Sequence, residues 1–242
     1  MEEVCIWFAE NIVASVISVI VGAIITSIVH NKEYWKIWLK TLLSRNNEYR
    51  VSFAYLFRIR IEDKYLLIKG NRINQYQPVG GVYKYFDSFK GKYDDWEITH
   101  EKDKDFYENG DLRIYIKGKY LNDFIKWIDT NQNRECDCKR EFIEELVHPG
   151  YVALTDLSLV NFEFIKRINS GIHYSKQFKC KEVLIFDVYE VNCLSEDSVA
   201  KLQEISKNTN DLVLASVDDI ERQCIQVNGV SRKIGEHTIF IK

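Results

Sequence analysis

Residues 140–146 read Arg140-Glu141-Phe142-Ile143-Glu144-Glu145-Leu146. On a helix, Glu144 and Glu145 follow Glu141 by three and four positions, so the three carboxylates share a face. Phe142, Ile143 and Leu146 fall toward the other side, where they can pack. Like charges at this spacing repel by a few tenths of a kcal/mol per pair. A divalent cation would remove that cost. Mg2+ favours oxygen ligands and bridges carboxylates to phosphates, so Glu141, Glu144 and Glu145 form a candidate metal set. The ion would polarise phosphorus and help to activate water. The alternative is a solvated acidic face beside Lys139 and Arg140. The helix is expected over Lys139–Val147, with Pro149-Gly150 as its stop.

Upstream of this helix, Val51–Ile61 and Lys64–Lys69 are rich in β-branched, aromatic and Leu residues and read as a hairpin turning at Glu62-Asp63. Gln77–Gly81 reads as a short strand ending in Gly-Gly. Residues 84–111 are polar, charged and aromatic, without a clear period. Leu112–Ile116 reads as a strand and Leu121–Ile128 as a helix. Downstream, strands are expected at Leu157–Arg167, His173–Lys179 and Val183–Val191, then a helix at Glu196–Ser206. A short strand at Val213–Ala215, a helix at Val217–Arg222 and a closing segment at His237–Ile241 complete the chain. Strands mixed with a few helices indicate an α+β domain.

The 242 residues are 46% hydrophobic and 13% aromatic, enough for a full core and unlike a disordered chain. The net charge of -3 gives no basic field for a nucleic acid polymer. A small anionic ligand needs only a local pocket. Cys5, Cys136, Cys138, Cys180, Cys193 and Cys224 are scattered, which suits free thiols in a reducing compartment.

The N-terminal end differs in kind. Ile12–Val29 runs 18 residues without a charge. As a helix it spans roughly 27 Å, close to the thickness of a bilayer core. Trp7 and Phe8 precede it; Tyr34, Trp35 and Trp38 follow, as interfacial aromatics do. No Lys or Arg precedes the run, whereas Lys32, Lys36, Lys40, Arg45 and Arg50 come just after it. That asymmetry predicts a single-pass anchor with the N-terminus outside and the large domain in the cytoplasm. Ala14, Ser18, Gly22 and Thr26 recur every four residues as a small-residue stripe suited to helix–helix packing. The expected division is an anchor over 1–30, a juxtamembrane helix and linker over 31–48, and one domain over 49–242.

Arg-Glu-hydrophobic-x-Glu-Glu resembles the second half of the Nudix box. Gln77-Pro78-Val79-Gly80-Gly81 resembles the strand end that leads into that box. Where the box has a Glu eight residues before its Arg, this chain has Gln132. Gly81 stands 59 positions before Arg140, so an insertion over about 84–133 splits the motif. Together with Lys69-Gly70-Asn71-Arg72, Gln77–Lys84 and Arg134-Glu135, these features resemble the SMODS-associated Nudix family, found beside bacterial cyclic-oligonucleotide synthases in CBASS antiphage operons. The resemblance implies a Nudix-like α/β/α sandwich behind one transmembrane helix. It implies a membrane-anchored effector at the bacterial inner membrane that binds a cyclic oligonucleotide, forms a homo-oligomer on activation and damages membrane lipid. Arg72, Gln77, Gly80, Gly81 and Lys84 are then the expected ligand-binding residues. The alternative is a Mg-dependent hydrolase of a diphosphate-linked nucleotide, with Glu144 as its catalytic residue.

Overall fold

The computed structural model describes residues 2–100 and 110–242, with side chains from Val13 onward except at Ala14 and His30. Helix α1 (Glu2–His30) is followed by α2 (Lys32–Leu42). The domain then runs β1 (Glu48–Arg58), β2 (Arg60–Ile61), β3 (Lys64–Lys69), β4 (Tyr76–Pro78), α3 (Lys90–Asp95), β5 (Thr99–His100), β6 (Arg113–Lys117) and α4 (Gly118–Asp129). Next come α5 (Lys139–Phe142), a π-helical turn at Ile143–Val147, β7 (Asn161–Asn169), β8 (His173–Ser175) and β9 (Cys180–Asn192). Helix α6 (Glu196–Asn208), β10 (Leu212–Ala215), α7 (Val217–Glu221), β11 (Cys224–Val227), β12 (Val230–Lys233) and a 3-10 turn at Glu236–Ile241 close the chain.

The larger sheet is mixed, in the order β5-β6-β1-β9-β7, with β8 also paired to β9. β1 is antiparallel to β6 and parallel to β9. Every residue of β1 between its two ends is buried, as expected for a strand covered on both faces. The smaller sheet is β10-β3-β2, with β4 also on β3. The domain is therefore of mixed α+β class. The expected hairpin at 51–69 is only partly formed: Arg60 and Ile61 pair with β3, whereas β1 belongs to the other sheet. Segment 84–133 is built into the domain, because it supplies β5, β6 and α4.

Several boundaries move for local reasons. The strand at 157–167 begins only at Asn161, after a 3-10 turn at Leu154–Ser158. The closing segment His237–Ile241 lies in a 3-10 turn. The β11–β12 hairpin turns on Asn228-Gly229, both at positive φ (51° and 75°), the pattern of a type I′ turn.

In α2, Ile37 and Thr41, one helical turn apart, are buried, and the helix packs against α4. Its Trp38, Leu39 and Leu42 stay exposed. Along α1, consecutive apolar side chains such as Val19, Ile20 and Val21 are all exposed, so among the described residues no apolar side chain from Val13 to Val29 lies on a covered face. The expected anchor is not shown as a span: no single helix among the described residues is long and apolar enough to cross a membrane. Ser15–Val29 and Lys32–Leu42 pass that test only as a pair bent by 92°. Ser18, Gly22 and Thr26 lie exposed on α1, and the Thr26 hydroxyl donates to the Gly22 carbonyl at 2.8 Å. The side chain of Ala14 lies outside the described residues.

Candidate functional site

The expected carboxylate helix begins as an α-turn and then widens. The His148 N–H donates to the Ile143 carbonyl at 2.8 Å, the i to i+5 bond of a π-turn. Phe142 anchors this segment. It is fully buried and meets Phe57 edge-on at 5.8 Å and Phe162 at 5.1 Å between ring centroids. Packing on that side holds Glu141 against the Gly80-Gly81 crossing of β1.

Arg140 is the centre of the cluster. Its guanidinium donates to both carboxylate oxygens of Glu135, at 2.8 and 2.9 Å. It also lies 2.7 Å from Glu141 and 2.9 Å from Glu144, and donates to the Val82 carbonyl at 3.0 Å. Burial works against this charge, yet the surrounding carboxylates outweigh it and hold the guanidinium protonated well above its ordinary range. Glu135 was not among the expected site residues. It comes from an extended segment five positions before Arg140, a spacing with no helical signature.

Glu141 is 6% exposed. A Cβ placed on Gly81 would lie 1.6 Å from its Oε2, so the glycine leaves room for that carboxylate. Burial, opposed by Arg140 and reinforced by Glu144, pushes its carboxyl up to about 7. Glu145 is also pushed up, by burial and by Glu144. The Glu141 carboxyl thus binds its proton more tightly in the folded chain than in the unfolded one. The stability it contributes is complete below about pH 4.5 and is lost as pH rises through about 7. Melting of the full chain in detergent between pH 5 and 8 should show that fall, on the order of 2 kcal/mol. Glu141→Gln should flatten it; an unchanged slope would assign the effect to another group.

As arranged, the expected Mg2+ ligands do not form a metal cradle. Glu141 and Glu144 are both engaged by Arg140. Among the described residues no group of three or more His, Cys, Asp or Glu side chains is placed to hold a metal.

The five expected ligand residues fall in different settings. Gly81 backs Glu141. Gly80, at φ +154°, lies flat on the Tyr55 carbonyl. Lys84 is tied to Glu135 through its main chain: its carbonyl accepts from the Glu135 N–H at 2.8 Å, and its N–H donates to the Glu135 carboxylate at 3.4 Å. Gln77 is half-buried in β4, paired with Ile68. Arg72 instead stacks over Phe178, 5.4 Å from the ring centroid, where Arg50 also lies at 3.9 Å.

A second constellation lies between the end of α4 and strands β7 and β9. Arg134 and Asp187, each 2% exposed, are buried charges. Arg167 donates to both oxygens of Asp187, at 2.6 and 2.7 Å, and to Asp129 at 2.6 Å. The Tyr83 hydroxyl donates to Asp187 at 2.5 Å, and its ring stacks on Phe53 and Tyr55 at 4.0 and 3.6 Å. Burial, with the Asp187 charge, raises the Tyr83 phenol far above its ordinary range. These groups border a cavity of about 400 Å³. No periodicity joins them in sequence, since they come from α4, β7, β9 and the two loops that carry Tyr83 and Arg134.

The family model described as SMODS-associated NUDIX domain matches residues 48–242. No curated protein and no solved structure matches the chain.

Proposed function

The chain belongs to the SMODS-associated NUDIX domain family, and from that premise we propose that it is a membrane-anchored CBASS effector whose Nudix-like domain senses a cyclic oligonucleotide. The observation that carries this reading is α1, whose apolar side chains between Val13 and Val29 are exposed among the described residues, joined through α2 directly to the domain. Leaving so much apolar surface in water is unfavourable by about 25 cal/mol per Å². A bilayer would cover it, and the exposed Trp38, Leu39 and Leu42 of α2 would rest at its interface. The positive flank then keeps the domain cytoplasmic, at the inner membrane of a bacterium. Ligand binding would gather domains, and the Ser18–Gly22–Thr26 stripe would pack between copies. One helix cannot line a pore, so membrane damage requires a homo-oligomer.

A Cβ on Gly22 meets nothing within 4 Å, so a larger residue there is tolerated by the chain on its own. Replacing Ala14, Ser18 and Gly22 together by isoleucine should abolish growth arrest on activation while nucleotide binding survives. Persistent toxicity in cells would overturn the helix-packing part.

A hydrolase of diphosphate-linked nucleotides is the second reading, favoured by the Glu141 carboxyl lying near neutrality, where a general base works best. Incubating the full chain with cyclic dinucleotides, cyclic trinucleotides and NAD, with and without Mg2+, separates the two. Binding without product supports the sensor. Product formation that is lost in Glu144→Gln supports the hydrolase.

A further inference from the structure

We propose that the cavity between α4, β7 and β9 holds one nucleotide unit, and that the phosphate of that unit displaces Asp129 from Arg167 and so loosens α2 from the domain. This rests on the sensor reading and locates its binding site away from the glutamate cluster.

Three features of the cavity point to a nucleotide. Phe164 on β7 is 52% exposed and meets Tyr189 on β9 edge-on at 5.6 Å. A large aromatic ring left half in water at a cavity mouth is a platform on which a base can stack. Arg167 supplies the cation for phosphate, a role suited to the planar guanidinium. The remaining wall is polar, from Asn131 and the Cys136 thiol, and can hydrogen-bond a base edge. At about 400 Å³ the cavity is at the small end of small-molecule sites, sized for one base with its sugar and phosphate. The other units of a cyclic oligonucleotide would project outward, where a second copy can take them.

The polar contacts at this wall differ in strength. Arg167 holds Asp187, whose side chain is 2% exposed, through two bonds. Its bond to Asp129 is partly exposed, at 27% and 46% for the two side chains, and exposed ion pairs are weak. Asp129 is thus the partner that an incoming phosphate can replace. The same carboxylate accepts a hydrogen bond from the Tyr34 hydroxyl of α2. Tyr34, Asp129, Arg167, Asp187 and Tyr83 form one unbroken chain from the helix next to α1 to the floor of the cavity. Phosphate at Arg167 turns Asp129 outward and removes its carboxylate from Tyr34.

The test uses the full chain in detergent micelles with cyclic di-AMP, cyclic di-GMP and cyclic tri-AMP as probes. Titration calorimetry reads affinity, and hydrogen–deuterium exchange of residues 31–45 reads α2. For the probe that binds, Phe164→Ala should weaken binding about tenfold through lost stacking, and Arg167→Lys at least as much. Both variants should keep the wild-type fold by circular dichroism; Phe164 is an exposed position, so its variant remains informative if Arg167→Lys does not fold. Bound probe should speed exchange in 31–45, and Tyr34→Phe should show that faster exchange without any probe. Wild-type affinity in Phe164→Ala overturns the site while leaving the sensor reading intact. Binding of a probe with no change in 31–45 overturns the coupling. No binding of any probe to the wild-type chain removes the sensor reading itself, and this proposal with it.

Discussion

Arg140→Met should destabilise the chain by about 3–5 kcal/mol, the range seen when one partner of a buried ion pair is removed. Three carboxylates depend on this one guanidinium, from Glu135, Glu141 and Glu144. Glu135 and Glu141 are mostly buried, at 14% and 8% side-chain exposure, so water cannot replace what the arginine supplied. Their mutual repulsion falls when they are protonated. The loss should therefore be larger at pH 8 than at pH 5, because the Glu141 carboxyl titrates near 7. Chemical denaturation at the two pH values measures both quantities. A second variant, Arg140→Lys, retains the charge but not the two-pronged hold on Glu135, and should recover only part of the loss. Equal stability of Arg140→Met and the parent chain would mean that the cluster is solvated and carries no structural load.

Gly80→Ala should cost about 3 kcal/mol, through backbone overlap together with strain. A Cβ at this position would stand 2.2 Å from the Tyr55 carbonyl oxygen and 3.0 Å from its carbon. Neither atom can swing away, because both belong to β1. The two segments are further stitched by main-chain bonds from Tyr55 N–H to the Gly81 carbonyl and from Phe57 N–H to the Val79 carbonyl, each 2.8 Å. Gly91→Ala is the matching control: its Cβ meets nothing within 4 Å, and it sits in helix α3. That change should be neutral or stabilising by up to about 1 kcal/mol. Thermal melts of the two variants side by side check the contrast. Similar melting temperatures would show that β1 and the glycine crossing are not held as tightly as their geometry implies.

The elements that the sequence reveals best are those whose signal is local. Helices α4 and α6 show clear periodicity and lie where that pattern places them. The switch of the chain from one sheet to the other near Ile59 is invisible locally, because Arg58 and Arg60 both continue a strand-like pattern. The π-turn after Phe142 is equally hidden: its residues suit an α-helix, and tertiary packing of Phe142 and Leu146 decides the widening. Asn228-Gly229 is a strong hairpin signal that lies in the turn residues and not in any helix or strand periodicity. At the site, the glutamates of one helix are legible from their spacing. Their actual partner set is not, because Glu135 reaches Arg140 from an extended segment. The cavity is least legible of all, since Asp129, Phe164, Arg167, Asp187 and Tyr189 meet only after β7 and β9 pair.

The parallel pairing of β1 with β9 has a consequence for how the chain is made. Arg50 on β1 meets Glu182 on β9 across 132 positions of sequence. At about 5–20 residues per second, a ribosome takes about 7–26 s to cover that distance. Throughout that interval β1 has left the ribosome, carrying Tyr49, Phe53, Tyr55 and Phe57, without the neighbour that completes its sheet. Non-local strand pairing of this kind folds slowly and leaves an open edge prone to wrong partners. The emerging β1 is therefore open to wrong pairing, and a product truncated before Cys180 should collect in aggregates rather than as a smaller folded domain.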